Sequence, residues 1–252
     1  MRTPIIAGNW KMHLTLDPAI ELVDGIQYGL AFPGETEVIV GPPFLCLQKI
    51  AEHLKDSYIG VAAQNLHFED QGAFTGECSG KQIKDAGAGY VIVGHSERRQ
   101  YFAETDEMVN KKIKAAFRNG LIPIVCVGET LTEREKGDVS TVIGRQLTVG
   151  LLDLDPSTVS RLIIAYEPVW AIGTGKTATT GQVEEVHRLI RSSLSSKFGA
   201  QTGEAVRILY GGSVKPSNSK ELLALPNVDG ALVGGAALKA SDFIEIIKSV
   251  NN

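Results

Sequence analysis

Apolar residues in this chain gather into short continuous runs rather than alternating with polar ones. Eight such runs, rich in β-branched side chains and bounded by turn residues, occur at Ile5–Ala7, Val38–Val40, Ile59–Ala63, Tyr90–Val93, Ile122–Val127, Leu162–Tyr166, Val206–Tyr210 and Ala231–Val233. An uninterrupted apolar run suits a parallel strand covered on both faces, so each predicts a strand in a helix-wrapped sheet. Between them lie amphipathic stretches that predict helices over Pro18–Leu30, Phe44–Leu54, Asp106–Phe117, Val142–Leu152, Gln182–Lys197, Pro216–Leu223 and Ala237–Val250. The connection from Ala63 to Tyr90 is longer and less regular, with one short helix expected over Lys81–Ala86.

Strand starts recur about every 32 residues, the length of one βα unit. A doubly wound sheet shows the same alternation, but its G-x-G-x-x-G fingerprint is missing after the first strand, where Gly8, Asn9, Trp10 and Lys11 stand instead. Eight units in 252 residues, without a linker or a change of composition, predict a single (β/α)8 barrel domain over residues 1–252.

Composition narrows the function classes. Hydrophobic residues at 43% and charged residues at 21% are ordinary globular usage, which excludes fibrous and disordered chains. A net charge of −4 provides no overall field for nucleic acid or an anionic membrane, although a local site can still take a small anion. No apolar run approaches the roughly 18 residues of a spanning helix, and the first residues enter a strand directly, so no signal or transit peptide is expected. Cys46, Cys78 and Cys126 are odd in number and widely spaced, and read as reduced thiols of a cytoplasmic protein. Cys126, inside an apolar run, reads as a core residue rather than a nucleophile.

In such a barrel the loops after the strands share one face, so their polar residues converge in space. The strands are followed in turn by Asn9 and Lys11, Gln64 and Asn65, His95 with Ser96 and Glu97, Glu129, Glu167, Gly211 with Gly212 and Ser213, and Gly234 with Gly235. A carboxylate, an imidazole and an ammonium on one rim make a proton-transfer set. Taken singly, each is more often an exposed loop residue, and the glycine pairs fit tight turns as well as a phosphate cradle. Gly173 to Thr177 resembles the end of a P-loop, but Trp170 stands where the full pattern requires glycine. The stretch Pro168, Val169, Trp170, Ala171, Ile172, Gly173, Thr174, Gly175, Lys176, Thr177 and Ala178 instead suits either a lid or an ordinary surface loop. Among five histidines there is no H-x-H or H-E-x-x-H pair, so no metal site is expected, and His13, His53, His67 and His187 read as surface or structural. Ser96 is the expected N-cap of a following helix, whose dipole is expected to keep His95 neutral.

Gly8 to Lys11, Gln64–Asn65, Val93 to Arg98, Ala165 to Gly175, Tyr210 to Val214 and Val233 to Gly235 together resemble the triosephosphate isomerase family from end to end. The resemblance implies interconversion of dihydroxyacetone phosphate and D-glyceraldehyde 3-phosphate without a cofactor. In the family's pattern Glu167 is the base, neutral His95 the electrophile, and Lys11 and Asn9 the stabilisers of the enediolate, with Glu97 bonded within their cluster. The same pattern gives the phosphate to main-chain N–H groups at Gly173, Ser213, Gly234 and Gly235, and closes the lid over it. It also makes Gln64–Ser79 the interdigitating loop of a homodimer, with Thr75, Gly76 and Glu77 at the interface. A sugar-phosphate epimerase or Schiff-base aldolase would share the glycine pairs but should carry metal ligands or a lysine inside a strand. A noncatalytic binding barrel would retain phosphate binding without turnover.

Overall fold

The computed structural model describes residues 2–30, 34–173 and 176–250. Eight parallel strands, β1 (Ile5–Asn9), β2 (Glu37–Gly41), β3 (Ile59–Ala63), β4 (Tyr90–Val93), β5 (Ile122–Val127), β6 (Ile163–Tyr166), β7 (Arg207–Tyr210) and β8 (Gly230–Val233), pair in sequence order and close into a barrel. Closure is made by β1 on β8, with Ile5 opposite Gly230 and Gly8 opposite Val233.

Alternation along each strand divides the apolar residues between two cores, the reason the runs are apolar throughout. Ile5, Ala7, Ile39, Ile92, Ile124, Cys126, Ile163, Ala165, Leu209 and Leu232 fill the barrel interior. Their neighbours Ile6, Val38, Val40, Val91, Val93, Ile164 and Ile208 pack outward against the helices. Each buried branched side chain removed from water contributes about 1.5–3 kcal/mol, so neither face of a strand can be made polar cheaply.

The expected helices form, with shifted ends. They run over Leu16–Gly29, Phe44–His53, Gly80–Asp85, Asp106–Arg118, Val139–Gly150, Thr180–Phe198 and Pro216–Leu223. The last expected helix divides into a 3-10 turn, Gly235–Leu238, and a helix, Ala240–Ser249, because Lys239 between them is extended at φ −134° and ψ 115°. Beyond the helix expected at Ser96, which runs over Ser96–Tyr101, short helices at Pro156–Val159, Leu131–Glu135 and Ala200–Ala205 add to the expected set. The second of these carried a readable signal, since Thr130 and Glu133 form a capping box. Among the described residues no helix is long and apolar enough to cross a membrane.

Candidate active site

The C-terminal strand ends surround a cavity of about 240 Å³ lined by Asn9, Lys11, His95, Glu167, Gly173, Ser213, Gly234 and Gly235. Ile172, Gly211, Gly212, Val214, Lys215, Leu232 and Ala236 complete its wall. These come from β1, β4, β6, β7 and β8 or the loops after them, and meet only because the sheet closes.

After β1, Lys11 takes φ +53°, a left-handed backbone that costs a non-glycine residue about 1–3 kcal/mol. Its surroundings hold it there. The Asn9 side-chain oxygen accepts the Lys11 N–H at 3.0 Å, and the Gln64 amide donates to the Lys11 carbonyl at 2.7 Å and to the Gly41 carbonyl at 2.9 Å. The Lys11 ammonium reaches Glu97 Oε1 at 2.7 Å. Asn65, the neighbour of Gln64, turns away and accepts from Lys112 at 2.7 Å.

After β4, the turn at Gly94 delivers His95 to the start of the helix Ser96–Tyr101. His95, rather than the expected Ser96, is the N-cap, with its Nδ1 accepting the Glu97 N–H at 3.2 Å. The Ser96 N–H is taken instead by Glu167 Oε2 at 2.8 Å. Since Nδ1 is an acceptor, the proton of the neutral ring sits on Nε2, which faces Glu167 Oε1 at 2.8 Å.

Both partners are buried, with Glu167 only 2% exposed. Burial pulls the His95 pKa down, but the Glu167 carboxylate and, beyond it, Glu97 outweigh burial and leave it above the ordinary histidine value. The helix start disfavours a positive ring, as expected, but the carboxylate in direct contact opposes it and sets the direction of the shift. For Glu167, burial alone would raise the pKa; the imidazole, the Ser96 N–H and Lys11 reverse it and hold the carboxyl below its usual range.

After β5, Glu129 is fully buried and accepts from Tyr166 at 3.1 Å, Trp170 at 2.8 Å and Arg134 at 2.9 Å. It ties down the 3-10 turn Val169–Ala171 that follows Pro168, a role its position in the sequence did not reveal. Ile172 and Gly173 continue to the cavity wall, Lys176, Thr177 and Ala178 lead into the helix capped by Thr179, and Thr174 and Gly175 lie outside the described residues. After β7, a Cβ at Gly211 would stand 2.9 Å from Glu167 Cγ, so glycine there leaves room for the base.

The remaining candidates lie elsewhere. Thr75, Gly76 and Glu77 are exposed and line no part of the cavity. His187 is fully buried, His53 pairs with Asp24, and His67 stacks on Phe68 and lies against the tilted ring of Phe74. Burial pushes the Cys126 thiol well above its ordinary value, the property of a packing residue rather than a nucleophile.

The arrangement brings a base, a hydrogen-bond donor, a cation and glycine-rich turns to the wall of one small cavity. Comparison with known proteins agrees with that chemistry. The triosephosphate isomerase family profile matches residues 4–250. Triosephosphate isomerase of Clostridium tetani is 54% identical over 247 residues, covering 98% of this chain and 96% of that protein. The Moorella thermoacetica enzyme of the same name is also 54% identical, covering 98% of each. The crystal structure of triosephosphate isomerase from Bartonella henselae superposes with a TM-score of 0.90 at 43% identity, covering 99% of this chain and 100% of that one.

Proposed function

The chain belongs to the triosephosphate isomerase family and interconverts dihydroxyacetone phosphate and D-glyceraldehyde 3-phosphate, and on that premise we propose that Glu167, His95, Lys11 and Asn9 carry the chemistry. The observation that carries this reading is the direct His95–Glu167 contact at the cavity wall, beside the Lys11 ammonium. Glu167, held ionised, removes a carbon-bound proton next to the substrate carbonyl and returns it to the neighbouring carbon. For that carbon to reach it, the carboxylate rotates away from His95. This frees Nε2–H to hydrogen-bond the substrate oxygen where charge develops. Lys11 stabilises the enediolate by its charge, Asn9 donates to the same oxygen, and Glu97 orients Lys11.

The phosphate is held by backbone N–H groups at Gly173, Ser213, Gly234 and Gly235, where the glycine backbone allows close approach. Pro168–Ala178 acts as the lid, shielding an enediolate that would otherwise expel its phosphate to water. The whole chain, 1–252, works as one barrel domain.

We further propose a homodimer working in the cytoplasm. Met12, Leu45, Phe74, Tyr101 and Phe102 are large apolar side chains, 94%, 98%, 42%, 69% and 63% exposed, on the loops and short helices after β1 to β4. These strands are neighbours, so the five side chains share one side of the barrel, and a second copy would cover them. Thr75, Gly76 and Glu77 would then reach into the partner's site. The free thiols of Cys46, Cys78 and Cys126 suit a reducing compartment.

A coupled assay on D-glyceraldehyde 3-phosphate with Glu167→Asp tests the base. The shorter side chain retracts the carboxylate by about one methylene, a displacement that costs on the order of 10²-fold in kcat. Equal turnover by both proteins would remove Glu167 from the role.

A further inference from the structure

The cavity wall carries two lysines among the described residues, and they differ in what they face. Lys11 is paired with Glu97 at 2.7 Å, so part of its field is already cancelled. Lys215, at the rim on the phosphate side, is exposed, and its ammonium makes no ion pair or hydrogen bond among the described residues. We propose that Lys215 is a further substrate-binding residue, an unpaired cation that draws the dianionic phosphate into the cradle of Ser213 and Gly234–Gly235. The inference rests on the phosphate placement above.

Its position is built rather than incidental. Pro216 opens the helix Pro216–Leu223 and disfavours helical backbone at the residue before it, and Lys215 is accordingly extended at φ −136° and ψ 162°. Asn218 fastens the turn from inside the helix, accepting the Lys215 N–H at 2.8 Å and donating to the Ser213 carbonyl at 3.0 Å. The lysine backbone is therefore tied to the residue whose N–H is assigned to the phosphate, and only the flexible stem moves. A protein of net charge −4 repels an anion at long range, which makes an unpaired cation at the cavity mouth count for more.

An exposed charge acts through solvent, so its effect is screened within about 8 Å at physiological salt. Lys215→Gln should lower kcat/KM for D-glyceraldehyde 3-phosphate about three- to tenfold at low ionic strength, expressed in KM, with Lys215→Glu lower still and Lys215→Arg restoring the native value. The difference should close as salt approaches about 0.5 M, and the Ki of inorganic phosphate should rise in parallel. D-glyceraldehyde, which has no phosphate, should be processed equally by all four proteins. An unchanged salt dependence of kcat/KM in Lys215→Gln overturns the inference, and so does an equal loss on D-glyceraldehyde, which marks a merely structural role. The phosphate Ki separates this inference from the proton-transfer assignment: turnover surviving in Glu167→Gln would remove the base and leave the Ki shift standing.

Discussion

His95 Nε2 lies 2.8 Å from Glu167 Oε1, and the same carboxylate takes the Ser96 N–H at 2.8 Å through its other oxygen. One side chain thus contacts both the cap residue and the first residue of the helix Ser96–Tyr101, and the ionisation of each group depends on the other.

That coupling has a pH signature. Glu167 has a depressed pKa, so its contribution to stability is present above the ordinary unfolded value of about 4.3 and is lost as pH falls through the folded value. His95 has a raised pKa, so its contribution is present below about 6.5 and is lost as pH rises through its folded value. The stability lost in Glu167→Gln should therefore be largest between these limits and shrink on either side, as read by urea unfolding at a series of pH values. NMR titration should also find the His95 pKa below the ordinary value in that variant, because burial is then opposed mainly by the more distant Glu97. A His95 pKa unmoved by the substitution would contradict the coupling.

The strained backbone at Lys11 depends on Gln64. Gln64→Ala removes a donor from two carbonyls; that of Gly41 keeps the Trp10 N–H at 3.1 Å, whereas that of Lys11 loses its partner, at a cost of about 1–3 kcal/mol. The expected result is a lower Tm together with a kcat loss on the order of 10-fold or more, since Lys11 would no longer be held in place. A Tm drop with native kcat would show that the clamp serves stability alone.

Leu45 is 98% exposed, so Leu45→Asp should leave the isolated barrel nearly as stable, within about 0.5 kcal/mol. If that face is covered by a second copy, the substitution should yield monomers in analytical ultracentrifugation. Activity should fall on the order of 10²-fold, because Thr75 would no longer brace the partner's Lys11 and His95. A monomeric variant with full activity would refute the role of the second copy.

Sequence by itself determined the barrel. A strand buried on both faces must be apolar throughout, and eight such runs at one-unit spacing leave few other ways to cover their surfaces. The residues at the strand ends were legible for the same reason, since the position just after a strand assigns a side chain to one rim. Helix ends were less legible: Lys239 breaks the final helix, and Ser96 looked like the cap that His95 provides. Tertiary structure alone decided the chemistry between residues. Ser96 and Glu167 are 71 positions apart, and their contact, the upward shift of His95, the left-handed Lys11 held by Gln64, and the unpaired Lys215 at the rim all depend on distances that barrel closure sets. Periodicity encodes which face a residue occupies, whereas pKa and hydrogen bonding depend on which atoms lie within a few ångströms across that face.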